Sequence, residues 1–299
     1  MNILIIGGHG FLGLQLKADL EKALSFAKIY IASERKQLAG STTIYVEFES
    51  LRSVNKLITL TKPQYVLHLA SYCMRDSSDH ALAKGQLRDD NILNALSSVK
   101  LNSKLIFVSS MAAFSMSDKE IDPSRHQPQS NYGLEKSYMI KKLANFSATR
   151  EEFSYKIVYP SSIYGKGQRG KMLLPRLFEH IQKGVLMSAY GGNKKRDFIH
   201  VKDVSRVLVK LISGYEKYPE KHIFLHSFTL YKISEIANIV GEIVGSDSKE
   251  IIIFRDTKDD LIRDAEEFQV VAGDYSLRPE FKTTVTISDG LKEMFDNSL

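Results

Sequence analysis

Residues 1–13 read MNILIIGGHGFLG, and the two halves of that stretch ask for different backbones. Asn2 to Ile6 is a short apolar run built from Ile and Leu, the composition of a strand buried on both faces. Gly7, Gly8, Gly10 and Gly13 follow at once and satisfy the dinucleotide fingerprint in two registers, Gly7-x-x-Gly10-x-x-Gly13 and Gly8-x-Gly10-x-x-Gly13. An amphipathic segment then runs to about Leu24. Glycines here permit a tight turn, let the backbone come close to a pyrophosphate, and let the helix pack on the strand. The helix N-terminus offers its unpaired N–H groups to the anion. The stretch therefore predicts the first strand, turn and helix of a dinucleotide-binding sheet.

Outward from it, short apolar runs alternate with helical patterns. Strands are expected at Lys28 to Ser33, Thr43 to Glu47, Tyr65 to Leu69 and Lys104 to Ser109, with a helix at about Ser78 to Ser98 and Pro63 ending the helix before the fourth strand. That alternation predicts an α/β, Rossmann-type doubly wound parallel sheet, with ligands gathering outside the C-terminal ends of its strands. From about Pro160 the composition shifts toward longer loops and scattered helices, at Leu173 to Lys183, Val201 to Gly214, Ile233 to Gly245 and Ile287 to Phe295.

The 299 residues can bury a large core, and an apolar fraction of 43% with 25% charged residues is ordinary for a globular protein in water. No apolar run is long enough to span a bilayer and no secretory signal is readable, so a cytoplasmic, membrane-free protein is expected. The net charge of +6 is scattered through helices and loops, not gathered into a stripe, which argues against a nucleic-acid partner. Cys73, the one cysteine, excludes an internal disulfide framework and any Cys-based zinc site. His68 and His200 sit in the apolar runs LHL and IHV, the setting of structural histidines, and no metal-ligand spacing links them.

At the end of the second strand the chain reads Ser33-Glu34-Arg35-Lys36. Ser33 with Arg35 and Lys36 suits a 2′-phosphate and favours NADP, while Glu34 keeps NAD open. Past the fifth strand stands Ser110, and the segment SNYGLEKSYMIKKLANF carries Tyr132 and Lys136, which share a helix face at i, i+4. A phenol is a poor acid or base at neutral pH, and a neighbouring cation favours its phenolate. Ser110, Tyr132 and Lys136 are the candidate catalytic residues, since a hydride carrier needs a partnered proton donor.

GGHGFLG, VSSMAAFS and YGLEK, in that order and at those separations, resemble the short-chain dehydrogenase/reductase superfamily, in particular its extended branch acting on nucleotide sugars. IVYPSSIYGKGQ and GGNKKRDFIHVKDV resemble later motifs of the same branch, so the likeness runs over nearly the whole chain. The resemblance implies a dinucleotide domain over residues 1–160. It implies a smaller substrate-binding lobe over residues 161–299, with segments returning to the sheet. It makes Tyr132 the general acid/base, Lys136 the holder of the nicotinamide ribose that lowers the Tyr132 pKa, and Ser110 the group that orients the sugar oxygen. Phe11 and Leu12 would offer N–H groups to the pyrophosphate, Glu49 would stand near the adenine, and Leu69 with Ala70 would line the cofactor cleft. Arg196 would pair with the substrate diphosphate, Ser162 stands where relatives often carry Asn, and Arg255 and Arg263 are further basic candidates for the diphosphate with a bland reading as exposed charges. Homodimers are common in that branch.

Met111-Ala112 occupy the place where the resembled dehydratases carry acidic residues, and Cys73 does not match the Cys motif of the double epimerases. What remains is hydride transfer at a sugar carbon. The first expectation is an NADP-dependent reductase of a nucleotide-linked 4-keto-6-deoxy sugar, of the kind used in bacterial surface polysaccharide. A 4-epimerase with retained NAD and a non-catalytic NADP-binding regulator are the alternatives. Phe114-Ser115 and Tyr159 depart from the usual Tyr-Gly and Arg of relatives and leave the substrate open.

Overall fold

The computed structural model describes residues 1–74, 76–98, 102–114, 120–150, 152–168, 170, 172–255, 269–270, 275–276 and 281–296. Ser115 and Arg263, both named above, lie outside the described residues. In chain order the first half runs β1 (Asn2–Ile6), α1 (Phe11–Ala23), β2 (Lys28–Ser33), β3 (Thr43–Tyr45), α2 (Leu51–Thr61), β4 (Tyr65–His68), α3 (Asp79–Ser98), β5 (Lys104–Val108), β6 (Glu120–Ile121) and α4 (Asn131–Ala148). The second half runs β7 (Ser154–Pro160), β8 (Ser162–Tyr164), α5 (Leu173–Lys183), β9 (Met187–Tyr190), β10 (Lys195–His200), α6 (Val201–Ser213), β11 (His222–Leu225), β12 (Leu230–Lys232), α7 (Ile233–Val244), α8 (Ser248–Ile251), β13 (Ile252–Arg255), β14 (Gln269–Val270), β15 (Tyr275–Ser276) and α9 (Ile287–Phe295).

Eight strands form the main sheet in the order β15-β11-β7-β5-β4-β1-β2-β3, and every neighbouring pair is parallel. The chain winds outward from β1 through β2 to β3, then crosses back to set β4 on the other flank of β1. That reversal opens a crevice at the C-terminal ends of β1 and β4, where a doubly wound sheet binds its ligand. Strands covered on both sides read as continuous apolar runs, and Ile3, Leu4, Ile5 and Ile6 are all fully buried. Ile3 and Ile5 pack with Leu16 and Leu20 of α1 and with Val204, Leu208 and Leu211 of α6. Leu4 and Ile6 face the opposite way, into a core shared with α2, α3 and α4.

A third apolar cluster joins α5, α7 and α9 to β9, β10 and β13. Asp203, in the first turn of α6, accepts from Thr284 N (2.9 Å), Thr284 Oγ1 (2.7 Å) and Val285 N (3.1 Å), and so ties the approach to α9 back onto α6. Short sheets complete the frame: β8 and β12 flank β10, and β9 pairs with β13.

Candidate active site

The turn after β1 is closed by Gly10 N donating to Gly7 O at 2.9 Å, with Gly7 at φ +88°, a conformation open to glycine and strained for other residues. A Cβ at Gly13 would lie 2.4 Å from that same Gly7 carbonyl, so only glycine lets α1 sit so close to the turn. Gly10 caps α1 without a side-chain acceptor, leaving the first N–H groups of the helix directed outward. They border a cleft of about 1460 Å³ that is lined by Gly7, Gly10, Phe11 and Leu12 and by Leu69 and Ala70 beyond β4. Gly13 itself lies behind the turn and does not line it.

Ser110, Tyr132 and Lys136 meet on the floor of this cleft. Ser110 begins a short 3₁₀ turn just past β5, where its Oγ accepts from Ala112 N at 3.2 Å. Ser130 caps α4 through Gly133 N at 3.1 Å, which sets the first turn of that helix and Tyr132 within it. The Lys136 ammonium donates to Val108 O at 2.9 Å and Ala70 O at 3.4 Å, and sits 5.8 Å from the centre of the Tyr132 ring. Burial pushes this lysine down to about 8, with Arg88 adding to the fall and Glu135 opposing it. The expected lowering of the Tyr132 pKa by Lys136 is corrected here. Desolvation of the phenol dominates and pushes it up to about 12, against a hydrogen bond with Ser110 that acts the other way. The phenol therefore stays protonated at neutral pH.

At the other end of the cleft, Ser33, Glu34 and Arg35 all line the wall. Ser33 Oγ accepts from Arg35 N at 3.1 Å, and Glu34 accepts from the Tyr72 hydroxyl at 2.7 Å, bridging the loops after β2 and β4. Lys36 and Glu49 do not join them. The Lys36 ammonium turns onto the Tyr45 ring at 4.9 Å, and Glu49, exposed, pairs with Lys84 at 2.8 Å. Lys84 itself reaches the cleft.

The later motifs supply the opposite wall. Ser162 on β8 and Arg196 on β10 both line the cleft, and their strands are paired in parallel. Asp197, next to Arg196, is buried and accepts from Ser161 Oγ (2.6 Å), Ser227 N (3.0 Å) and Phe228 N (3.2 Å). That carboxylate fixes the strand carrying Arg196 to the loops after β7 and β11. Arg255 ends β13, exposed and away from the cleft. His200 caps α6 through Lys202 N, and His68 pairs with Asp89 at 2.8 Å, both buried within the fold. Met111 and Ala112 line the cleft, so an apolar wall stands where the resembled dehydratases carry acidic residues. The two departures from the resembled pattern prove to be neighbours. Phe114 packs on Tyr159 with ring centres 5.3 Å apart, in the core and off the cleft.

Beneath Lys136 lies a group that the motif reading missed. Glu135, 1% exposed, accepts from Ser71 Oγ, from Tyr72 N and Cys73 N at 3.1 Å each, and from Arg88 Nη2 at 3.0 Å. Arg88 Nε also donates to Asp89 at 2.9 Å, and Asp89 meets His68. Burial works against the Glu135 charge, yet Arg88, the Ser71 hydroxyl and Lys136 hold the carboxyl below its usual range. Burial, helped by Arg88, pushes His68 down to about 4 and keeps it neutral. A signal for this group exists in the sequence: Ala81, Gly85, Arg88, Ile92 and Leu96 form the buried stripe of α3 at helical spacing, and an arginine in such a stripe demands buried partners.

No curated protein sequence matches. Among solved structures, the UDP-glucose 4-epimerase of Thermotoga maritima, determined with UDP-glucose, is 19% identical with a TM-score of 0.80, covering 99% of this chain and 98% of that one. The dTDP-glucose 4,6-dehydratase of Bacillus anthracis, in complex with NAD, is 17% identical at TM-score 0.80, covering 99% and 96%. A GDP-6-OMe-4-keto-L-xylo-heptose reductase from C. jejuni is 16% identical at TM-score 0.76, covering 98% and 96%. At these identities they share the fold. The sequence profile of the NAD dependent epimerase/dehydratase family matches residues 3–225, from β1 through β11, and this chain belongs to that family.

Proposed function

We propose that this protein is an oxidoreductase of nucleotide sugars that reduces a nucleotide-linked 4-keto-6-deoxy sugar. The observation that carries the reading is the meeting of Tyr132, Ser110 and the Lys136 ammonium on the floor of the cleft into which the glycine turn opens, with desolvation favouring the protonated phenol. The turn suits a dinucleotide: a Cβ at Gly7 would lie 2.9 Å from Ala70 N, so glycine is what lets the turn sit against the chain beyond β4. A reduced nicotinamide held in this cleft would supply the hydride for the keto carbon. As the carbonyl π pair moves onto oxygen, Tyr132 gives that oxygen its proton, Ser110 Oγ orients it, and Lys136 stabilises the developing charge. Solvent then reprotonates the phenolate.

The remaining residues divide by end. Gly7, Gly10, Phe11 and Leu12 serve the pyrophosphate, with Gly13 allowing the helix to approach, and Leu69 and Ala70 flank the nicotinamide. Arg196 takes the sugar nucleotide's diphosphate, with Ser162 beside it, and residues 161–299 serve mainly as the substrate lobe. For the carrier, the balance moves from NADP toward NAD. Ser33 and Arg35 still support a 2′-phosphate from the cleft wall, but Lys36 is turned onto Tyr45 and Glu34 in the same wall opposes one. The apolar Met111-Ala112 wall offers no acid or base for dehydration.

The test is to denature the purified protein, identify any released NAD(H) or NADP(H), and follow NADH and NADPH absorbance with a panel of nucleotide-linked 4-keto-6-deoxy sugars. Substrate-dependent consumption supports the reductase. Retained NAD without net consumption replaces it with the 4-epimerase, and failure to bind either dinucleotide overturns the reading.

A further inference from the structure

Glu135 and Lys136 are consecutive residues of α4 with opposite charges, and both reach the same piece of chain. Lys136 donates to the carbonyl of Ala70, while Glu135 accepts from the Ser71 hydroxyl and from the amides of Tyr72 and Cys73. The loop leaving β4 is thus gripped by its carbonyl and by its donors from one helix. Ala70, Ser71 and Tyr72 of this loop line the cleft, and Tyr72 extends the grip to Glu34 on the far wall. Gly85 of α3 makes room for this carboxylate, since a Cβ there would meet Glu135 Oε1 at 2.4 Å. Arg88 holds the carboxylate from below and is itself held by Asp89.

We propose that Glu135 is a positioning residue: clamped by Arg88, it docks the 71–73 loop against α4 and supplies the anion that balances charge at Lys136. The role rests on the hydride-transfer reading only for its consequence in turnover; the docking and the balance are properties of the free protein. The charged and titratable groups facing Lys136 are Glu135 and Tyr132 on α4, Arg88 and Asp89 on α3, and His68 on β4. Glu135 is an anion on the helix of Lys136 itself and the one whose other contacts shape the cleft. Removing its charge leaves the Arg88 guanidinium beside the ammonium without that counterweight, which disfavours the charged lysine.

The experiment uses Glu135→Gln in the full chain. Lysine side-chain NMR of the ligand-free protein, with Lys136 assigned through Lys136→Met, gives the titration of the ammonium directly, and amide hydrogen exchange gives the state of the loop. In Glu135→Gln, Lys136 is expected to titrate about one pH unit lower, and the Tyr72 and Cys73 amides to exchange roughly tenfold faster or more. In turnover, the alkaline limb of kcat/KM for the dinucleotide moves down with the lysine, and most activity returns at a pH where Lys136 is again charged. A purely structural role would lower activity evenly at every pH and leave the lysine where it was. Should Glu135→Gln fail to fold, Glu135→Asp keeps the charge and shortens the reach, so Lys136 titrates as in the parent while the loop amides still exchange faster. An unchanged Lys136 titration in Glu135→Gln, or loop amides as slow in Glu135→Asp as in the parent, overturns the proposal. A shifted lysine in a protein that binds no dinucleotide would leave Glu135 in its role and overturn the proposed function instead.

Discussion

In the proposed reaction three side chains carry the chemistry, and of these Lys136 is buried while Ser110 and Tyr132 are half-buried at the cleft. Tyr132→Phe deletes the proton donor and leaves the ring, so turnover should fall by about 10²–10⁴ while dinucleotide affinity stays within a few-fold of the parent, checked by NADH fluorescence titration and single-turnover absorbance. Lys136 is depressed to about 8, so its ammonium is complete well below that pH and lost above it. Activity that depends on the ammonium should decline as pH rises through 8. His68 gives the complementary effect on stability. It is depressed to about 4, so between pH 6.5 and 4 the unfolded chain binds a proton that the folded chain refuses, and stability falls as pH falls through that window. The loss is on the order of 3 kcal/mol, and urea unfolding of the parent against His68→Gln should show it in the parent alone. At this scale the sequence was only half legible. Tyr132 and Lys136 announce themselves by spacing, but whether a cation wins over desolvation depends on how deeply the phenol is buried, which spacing does not encode.

Among elements, α1 sits hard against the first turn. Gly13→Ala would drive its methyl into the Gly7 carbonyl and Gly8 Cα, at 2.4 and 2.6 Å, so α1 must lift from the turn. A destabilisation of about 1–3 kcal/mol with loss of dinucleotide binding is expected, measured by urea unfolding and by NADH titration. The glycine turn, the parallel strands and the helices of the second half were legible because apolar period and glycine spacing are local properties. The helix of α3 was legible and Arg88 within its spacing was a usable signal, but its partner was not, because only the fold brings Glu135 of α4 against it. Lys36 shows the reverse limit. Its charge sits at the right place in the chain for a 2′-phosphate, but the aromatic face of Tyr45 on the adjoining strand takes it elsewhere.

Over the whole molecule, strand order is what the chain could not reveal. Alternation predicts a parallel sheet, but nothing local tells that β11 and β15, separated from β7 by long excursions, complete it on one flank. Among the described residues no helix is long and apolar enough to cross a membrane. The last stretch of chain is secured at a distance, through Asp203 and its bonds to residues 284 and 285. Asp203→Ala removes the buried acceptor of those bonds and should lower stability by about 1–3 kcal/mol, with faster hydrogen exchange across α9 as the local signature.

The buried quartet of Arg88, Asp89, Glu135 and Lys136 holds two positive and two negative side chains within one small volume. Its bearing on descent is direct. A lineage that drops one member passes through an intermediate with a stranded charge, so the members should be gained and lost together, and Arg88 should be replaced by an apolar residue only in chains where Glu135 has also gone neutral. Replacing Arg88 and Glu135 by methionines together is then expected to cost less stability than the sum of the two single changes. Ancestry would be read here in pairs of positions, one on each helix.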